Sequence, residues 1–351
     1  MGRHHIAFGL LPLMAALAGP AAVEAGPRQQ VTWYLSTWGS PRAVTKAFDI
    51  LSDTVARETG GGFKIVVAYG ESLSPMRENL DSIEVGVIDA GHVCPNNHAG
   101  KTPLMAAFEL PFLPIADLDS SRRLSEVYYR HPLVVEELAR FNAVALFQSS
   151  APRYEFMGRN PAPVKLSDWV GRRMRAPGTV GDAVRALGGQ PTAIPVPDIY
   201  NALDRGVVDG ATIPFPYAFG AYRIYEVADW YTIDLAAAMA NCFLVVNRNS
   251  LSTLPDVYRQ ALDAAVPGAV DAQIALLKAE ETSWLKTFDG HGMQRISYSA
   301  AQRDDLKTKY AKGIWDKWVA DADRRGLPGR AMLDFLIAEA EKANQFQAAS
   351  E

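Results

Sequence analysis

Cysteine is scarce in this chain of 351 residues, which contains only Cys94 and Cys242. Two cysteines cannot build the disulfide framework of a small secreted domain, and the sequence leaves open whether they pair or stay as two buried thiols. The formal net charge of −4 is small, so nothing favours a nucleic-acid-binding face, which is usually basic. Beyond the N-terminal segment, no apolar run is long enough to span a membrane.

Common catalytic signatures are also missing. The sequence has no Gly-x-Ser-x-Gly elbow, no phosphate-binding Gly-x-x-x-x-Gly-Lys-Ser/Thr loop and no Gly-x-Gly-x-x-Gly fingerprint. Four histidines lie outside the N-terminal segment, at positions 92, 98, 131 and 291. Their spacing is not that of metal ligands. We therefore expect a binding protein with no catalytic site, cofactor or metal. An exported lyase or hydrolase using Glu71, Asp89 or His92 is the alternative from another class.

Residues 1–25 have the three parts of a secretory signal. Arg3 begins a short basic segment, 6–19 form an apolar core, and small residues flank Glu24 before the expected cleavage point. The apolar core is too short to favour a permanent membrane helix. We expect cleavage before Gly26 and a soluble mature protein in the periplasm.

Two parts of the chain repeat one alternation of strands and helices. In the first part, strands are predicted at 31–36 and 63–68 and from 86 onward, separated by helices at 44–55 and around 80–83. In the second part, strands are predicted at 173–176, 190–196 and up to 213, separated by helices at 180–187 and 197–203. Strands that alternate with single helices indicate parallel sheets with covered faces. Ligands bind beyond the carboxyl ends of such strands, so two lobes would enclose a cleft.

The C-terminal part is predicted to be helical, at 257–264, 269–288, 300–321 and 331–343, with a short strand at 293–296. Within 300–321, four apolar residues recur at four-residue spacing: Leu306, Tyr310, Ile314 and Trp318. This stripe is typical of a helix face that packs between lobes.

Arg175 is the leading candidate for ligand binding. It ends a short predicted strand and lies two residues before Pro177, which fixes the local backbone. A guanidinium held in this way suits bidentate binding of a carboxylate. The alternative role is a structural ion pair, and the neighbouring Arg173 is expected to be solvated.

Several segments in order along the chain resemble a known family. In chain order, they are Glu-Leu-Pro-Phe-Leu-Pro at 109–114, Leu-Ser-Asp-Trp at 166–169, Gly-Arg-Arg-Met-Arg-Ala-Pro at 171–177, Tyr-Asn-Ala-Leu at 200–203, Val-Val-Asp-Gly at 207–210 and Phe-Leu-Val-Val-Asn at 243–247. The chain resembles the DctP-type substrate-binding proteins of tripartite ATP-independent periplasmic (TRAP) transporters over nearly its whole mature length.

The resemblance implies an α/β Venus-flytrap fold, with a mostly parallel sheet flanked by helices in each lobe and a long helix spanning both. We expect a first lobe of 26–150 plus 242–278, a second lobe of 151–241 plus 279–325, and a C-terminal helix and tail at 326–351. The implied function is capture of an organic acid and its delivery to the small and large TRAP membrane subunits. The alternative is a receptor for an ABC importer or a chemosensory complex. We expect a monomer.

The resemblance also implies particular site residues. The carboxylate-binding arginine of the family falls on Arg175, and a second family arginine falls on Arg153, for which a stabilising ion pair is the alternative. Many members place a ligand-binding Asn after the Val-Asp-Gly turn, where this chain has Ile213. With Phe215 and Tyr217 nearby, this substitution predicts a more apolar pocket and an acid with an aliphatic or aromatic body.

Other candidates follow the predicted strands and would reach the cleft. Trp38 follows the first strand and either walls the pocket or packs the lobe. The remaining candidates are Glu71 after the second strand, Cys94, Asn96 and Asn97 after the third, and Asn241 before a returning strand.

Overall fold

The computed structural model describes residues 1–2, 29–98, 100–233, 235 and 238–348. Nearly all of the predicted export signal lies outside these residues, as does the end of the predicted tail. Across the described part of the chain, no helix combines the length and apolar character needed to cross a bilayer.

The described residues form ten strands and thirteen α-helices. The strands are β1 (Val31–Ser36), β2 (Phe63–Ala68), β3 (Ala90–Val93), β4 (Ala143–Gly158), β5 (Arg173–Arg175), β6 (Gln190–Thr192), β7 (Gly210–Pro214), β8 (Trp230–Ile233), β9 (Met239–Asn247) and β10 (Gln294–Ser297). The helices are α1 (Lys46–Glu58), α2 (Asn79–Glu84), α3 (Pro103–Ala107), α4 (Leu118–Tyr128), α5 (Pro132–Ala139), α6 (Gly178–Ala186), α7 (Ile199–Asp204), α8 (Tyr217–Ala221), α9 (Arg248–Ser252), α10 (Asp256–Gly290), α11 (Ala300–Leu306), α12 (Lys312–Arg324) and α13 (Gly329–Ala348).

The two lobes share one plan of strand order. In the first lobe, β1 lies between the parallel strands β2 and β3, and β9 joins antiparallel to β3. In the second lobe, β5 lies between the parallel strands β6 and β7, and β4 joins antiparallel to β7. The predicted repeat of two parallel α/β units is therefore confirmed.

Strands β4 and β9 cross between the lobes. The first half of β4 pairs antiparallel with β9, and its second half pairs with β7 and β8. The register between β4 and β9 shifts between Ser150 and Arg153. Because both lobes attach to β4, this shift lies where the chain passes from one lobe to the other.

Helix α10 is a single helix of 35 residues, whereas the sequence predicted two shorter ones. Pro267 lies inside it, and a proline normally ends or bends a helix because it lacks an N–H donor. The helix continues because buried residues on both sides of the proline, from Leu262 to Leu277, hold it against the protein. It packs against α1 of the first lobe and α8 of the second, so it spans both lobes as the resemblance implies.

The end of the range 279–325, which was expected in the second lobe, also contacts the first lobe. Helix α12 packs against α3 and α13, and its Trp315 and Trp318 indoles donate to the backbone oxygens of Pro111 and Pro103 in the first lobe. Helix α13 packs against α4 of the same lobe. The physical reason is the apolar stripe within 300–321, in which Leu306 packs in the second lobe and Trp318 in the first.

Candidate functional site

The carboxyl ends of parallel strands in both lobes carry most of the predicted ligand residues. Trp38 follows β1, Cys94 follows β3, and Arg175 ends β5. This is the edge of an α/β sheet at which ligands bind. This edge, between the lobes, is therefore the candidate site.

Arg175 is held firmly by backbone oxygens. Its side chain is 6% exposed, its Nε donates to the Ile194 oxygen at 2.8 Å, and its Nη1 donates to the Thr212 oxygen at 2.9 Å. Ile194 follows β6 and Thr212 lies on β7, so the guanidinium is fixed by the two strands that flank its own. This arrangement presets its orientation before any ligand arrives.

The positive charge of Arg175 has no acidic partner among the described residues. Burial lowers the pKa of Arg175, and the nearby Tyr154 hydroxyl partly opposes this effect. Its Nη2 makes no hydrogen bond within the described part of the chain. A buried arginine costs free energy unless it is paired, so an anion supplied from outside would complete it.

A second arginine, Arg42, lies on the first-lobe side. Its guanidinium carbon is 3.9 Å from the centre of the Trp38 ring, a cation–π contact. Its Nη1 donates to the oxygens of Trp38 at 2.7 Å and Ser40 at 2.8 Å. Arg42 also lowers the pKa of Tyr217 on the second lobe, although burial raises that pKa more strongly. Arg42 therefore lies near the opposing lobe.

Trp38 also stacks on His92, with ring centres 5.7 Å apart and planes inclined by 5°. The His92 ring is hydrogen-bonded through Nδ1 to the Thr37 hydroxyl at 3.1 Å. Burial, and secondarily the charge of Arg42, lower the pKa of His92 well below its ordinary value. His92 is therefore neutral at pH 7, and the positive charge beside Trp38 belongs to Arg42.

The two lobes touch where α6 begins. A Cβ atom placed on Gly178, whose φ is +58°, would lie 3.2 Å from the side-chain oxygen of Asn96. The hydroxyl of the next residue, Thr179, donates to the backbone oxygen of Glu109 at 2.8 Å. Only glycine allows both this backbone conformation and so close an approach of Asn96.

Glu109 organises the first-lobe side of this contact. Its carboxylate accepts from the backbone N–H groups of Asn96 at 3.1 Å and Asn241 at 3.2 Å. Burial raises its pKa to about 8, and the two backbone hydrogen bonds only partly oppose this. Glu109 therefore joins the loop after β3 to the crossing strand β9.

Cys94 and Cys242 form a disulfide. The bond joins the same two segments as Glu109, which are the loop containing Asn96 and the strand β9. The sequence left this pairing open. His92 lies close to both sulfur atoms, but bonded sulfurs do not offer the thiolates that a metal requires.

Phe215 and Ile213, which were predicted to line the pocket, are buried in the protein interior. The Phe215 ring packs on Phe219, Tyr231 and Phe288, with centre distances of 6.1, 5.7 and 6.1 Å. Ile213 is 1% exposed and belongs to the same apolar cluster. Their contacts give no support to a role in lining the pocket. Tyr217 is 5% exposed and belongs to the same apolar cluster, so its ligand role also stays a prediction.

Asn241 is also committed to a structural role. Its Oδ1 accepts from Gln148 and its Nδ2 donates to the Tyr129 hydroxyl, both at 2.8 Å. Glu71 is exposed in the loop after β2, where its carboxylate accepts from the Met76 N–H at 2.8 Å. The contacts of these two side chains give no support to a ligand role.

Arg153 and Asn97 lie close in sequence to the residues of the cleft. Arg153 is half-buried on β4, next to Tyr154, and its backbone oxygen accepts from the Phe215 N–H at 3.0 Å. Asn97 is half-buried in the short turn after Cys94, and its N–H donates to the Cys94 oxygen at 2.9 Å. Their ligand roles remain predictions.

Two sizeable cavities lie elsewhere. One, of about 580 Å³, is an open hollow beside Arg172 whose Nε is already bonded to the Asp168 oxygen at 2.6 Å. The other, of about 650 Å³, lies between α4, β4 and α10 and includes Gln148. Neither is lined by a predicted ligand residue. The candidate site remains the edge between the lobes, where Arg175 has no acidic partner among the described residues.

Comparison with known proteins gives a consistent result. Residues 36–321 match the model of the DctP family, described as bacterial extracellular solute-binding protein, family 7. This chain belongs to that family. A monocarboxylate 2-oxoacid-binding periplasmic protein from Nostoc is 27% identical over 86% of each chain.

Solved structures of TRAP solute-binding proteins show the same fold. One from Rhodoferax ferrireducens, in complex with copurified benzoate, has a TM-score of 0.79 at 23% identity and covers 91% of this chain and 100% of its own. One from a marine metagenome, with 3-hydroxybenzoate, has a TM-score of 0.79 at 22% identity and covers 90% and 99%. The chain is thus a bacterial extracellular solute-binding protein of the DctP family, with the two-lobed α/β fold of these structures. The family match favours this reading over an ABC-type or chemosensory receptor. The family and these neighbours are binding receptors.

Sequence reasoning did not single out Arg42 or Glu109, which lie beside the predicted ligand residues Trp38 and Asn96. Arg42 precedes a short 3-10 turn and α1, where a charged residue ordinarily faces solvent. Its position after a strand, four residues beyond Trp38, was the available signal. Glu109 begins the Glu-Leu-Pro-Phe-Leu-Pro segment that resembles the family, but its burial depends on contacts with residues distant in sequence.

Proposed function

We propose that this TRAP-class receptor binds an organic carboxylate between its lobes, with Arg175 as the residue that holds the carboxylate. The main support for this proposal is that Arg175 is buried, is hydrogen-bonded to two backbone oxygens and has no acidic partner among the described residues. A carboxylate reaching Nη2 would supply the missing charge. Charge-assisted hydrogen bonds of this kind are among the strongest in proteins.

The rest of the ligand contacts aromatic side chains. Trp38 follows β1 of the first lobe, Tyr217 begins α8 of the second lobe, and Tyr154 lies near Arg175. These rings favour an acid with an aliphatic or aromatic body over a highly hydroxylated sugar acid. The Nostoc relative, named for monocarboxylate 2-oxoacids, is consistent with a small organic acid.

Binding is coupled to closure of the lobes. The acid first binds the second lobe, which carries Arg175, and the first lobe then closes through the contact between Asn96 and Gly178. Closure lowers the local dielectric, strengthens the charge pair and shifts an existing equilibrium between open and closed forms. The closed form is the one delivered to the small and large membrane subunits.

The finer assignments complete the proposal. The protein is exported by a cleaved signal at residues 1–25, acts as a monomer in the periplasm and has no enzymatic activity. Turnover assays with the bound acid test the last point. Mass spectrometry of the mature protein tests the cleavage site.

Native mass spectrometry of the purified protein, followed by release and identification of any bound acid, tests ligand capture. Calorimetry with that acid, or with benzoate and 2-oxoacids as probes, then compares wild type, Arg175→Gln and Arg173→Gln. Arg173 is the matched control because it lies two residues earlier on β5 and is exposed, paired with Asp209. We expect Arg175→Gln to weaken binding by about 30-fold or more and Arg173→Gln to leave it unchanged.

Equal affinities in wild type and Arg175→Gln would overturn the assignment of the carboxylate to Arg175. Circular dichroism and the thermal midpoint establish that each variant is folded. Failure of every carboxylate to bind folded wild-type protein would overturn the ligand class itself.

A further inference from the structure

Three residues whose side chains bind soft metal ions meet at the end of strand β3. His92 and Cys94 are two residues apart, so their side chains lie on the same face of the extended chain. Val93 pairs antiparallel with Phe243. The adjoining residues, Cys94 and Cys242, therefore lie opposite each other and form the disulfide. A ring nitrogen of His92 and the two sulfur atoms all lie within 4.8 Å of one another.

The His92 ring has one nitrogen that the protein does not use. Its Nδ1 is hydrogen-bonded to the Thr37 hydroxyl at 3.1 Å, and the ring is held between Trp38 and Phe48, whose ring centres lie 5.7 and 5.0 Å away. The residue is 1% exposed, and its Nε2 has no hydrogen-bond partner among the described residues. Such buried, unpartnered atoms are rare. Metal-binding histidines use their second nitrogen in a hydrogen bond that fixes the ring, which Thr37 provides, so Nε2 is the free ligand atom.

The disulfide determines when this cluster is available to a metal. While the S–S bond is intact, neither sulfur is a thiolate, and the thiolate is the form that binds metals. A dithiol breaks the bond by supplying two electrons and two protons, which leaves two cysteine thiols and converts the dithiol itself into a disulfide. Cys242 is half-buried and Cys94 is 7% exposed, so Cys242 is the side from which a reductant reaches the bond.

We propose that, once a dithiol has reduced the disulfide, His92 Nε2 and the thiolates of Cys94 and Cys242 bind one Zn²⁺ ion. The ion displaces both thiol protons to solvent, and a water molecule takes the fourth tetrahedral position. Two sulfur ligands and one imidazole suit Zn²⁺ and disfavour Ca²⁺ and Mg²⁺, which prefer oxygen ligands. The two thiolate charges balance the ion, and a neutral complex is compatible with the Arg42 guanidinium, which lies over the Trp38 ring that stacks on His92.

The bound ion replaces the disulfide as a link between two segments. It joins the loop after β3, which contains Asn96, to strand β9, as the S–S bond does in the oxidised protein. Because Zn²⁺ binds the folded form, it stabilises the reduced protein by mass action. The receptor therefore keeps this link in oxidising surroundings through the disulfide and in reducing surroundings through zinc.

Metal titration of the reduced protein tests the proposal. Protein kept in TCEP is titrated with Co²⁺, whose tetrahedral thiolate complexes absorb visible light, and Zn²⁺ is then added as competitor. The same titration is made on oxidised wild type, Cys94→Ala/Cys242→Ala, His92→Gln and His291→Gln. His291 is the matched control because it is an exposed histidine at the end of α10.

We expect reduced wild type and His291→Gln to bind one Co²⁺ per chain with these visible bands. Oxidised wild type and the double cysteine variant should show none, and His92→Gln should bind about tenfold or more weakly. Zn²⁺ should displace Co²⁺ and raise the urea midpoint of reduced wild type, whereas Ca²⁺ should do neither. Circular dichroism establishes that each variant is folded.

Equal Co²⁺ affinity in oxidised and reduced wild type would overturn the proposal, as would equal affinity in reduced wild type and reduced His92→Gln. Failure of folded, reduced wild type to bind either ion would overturn it as well. If His92→Gln does not fold, X-ray absorption of the zinc-bound reduced wild type decides. Two sulfur atoms at about 2.3 Å and an imidazole nitrogen at about 2.0 Å support the site, and a shell without imidazole contradicts it. These measurements use no organic acid, so their failure leaves the proposed carboxylate binding intact.

Discussion

The disulfide between Cys94 and Cys242 should contribute strongly to stability. It closes a loop with a sequence separation of 148 residues. In the chain-entropy model, a loop of this length restricts the unfolded chain by about 5 kcal/mol, and removal of a native disulfide usually costs about 2–5 kcal/mol. We therefore expect Cys94→Ala/Cys242→Ala to lower the free energy of unfolding by about 3–5 kcal/mol.

Urea unfolding followed by circular dichroism measures this difference. Wild type is compared with the double variant, each with and without the reductant TCEP. Wild type should lose stability in TCEP until it matches the double variant, which should not respond. The reasoning is refuted if thiol labelling shows both cysteines reduced while the unfolding midpoint of wild type stays the same.

Removal of the disulfide should also weaken ligand binding. The disulfide holds the loop containing Asn96 against β9, and Asn96 makes the contact with Gly178 across the cleft. A looser loop lowers the population of the closed form, so affinity for the bound acid should fall in the double variant. Calorimetry below the unfolding range measures this effect separately from stability.

Three further predictions concern Glu109, Gly178 and Phe215. Because burial raises the pKa of Glu109 to about 8, the folded protein retains this proton above the ordinary carboxyl pKa, so stability should fall as pH rises from about 5 to 8. Urea titrations should show a shallower fall in Glu109→Gln; an unchanged slope would contradict this. Gly178→Ala should weaken acid binding in calorimetry, because its positive φ disfavours alanine and its Cβ would crowd Asn96, and unchanged affinity would argue against closure at this contact. Phe215→Ala should destabilise the protein by about 3–5 kcal/mol in urea, whereas a loss of affinity with unchanged stability would restore its predicted pocket role.

Short, regular elements were predictable because their signals are local. The observed bounds of β1 and β2 match the prediction. The helix between the two strands ends just before Gly60 and Gly61, which adopt a positive φ and mark its end in the sequence. Strand β4 was not predicted: Pro152 lies within it, and its two halves meet different partners. A pattern of alternating exposure cannot describe a strand whose surroundings change along its length.

The site was predictable only in part, for the same reason. The position of Arg175 before Pro177 marked it as a ligand residue, but the Ile194 and Thr212 oxygens that orient it come from other strands. Phe215 had the sequence position of a wall residue, and packing against the long helix drew it into the core instead. Burial of Arg42 depends on how Trp38 and the opposite lobe approach it, which no local spacing encodes.

A crystal structure of the protein with its copurified acid tests the central claim most directly. The account predicts a carboxylate between the lobes, with an oxygen within about 3 Å of Arg175 Nη2. A ligand seated in the cavity between α4 and α10, or one whose carboxylate is held by another residue while Arg175 stays unpaired, would contradict it.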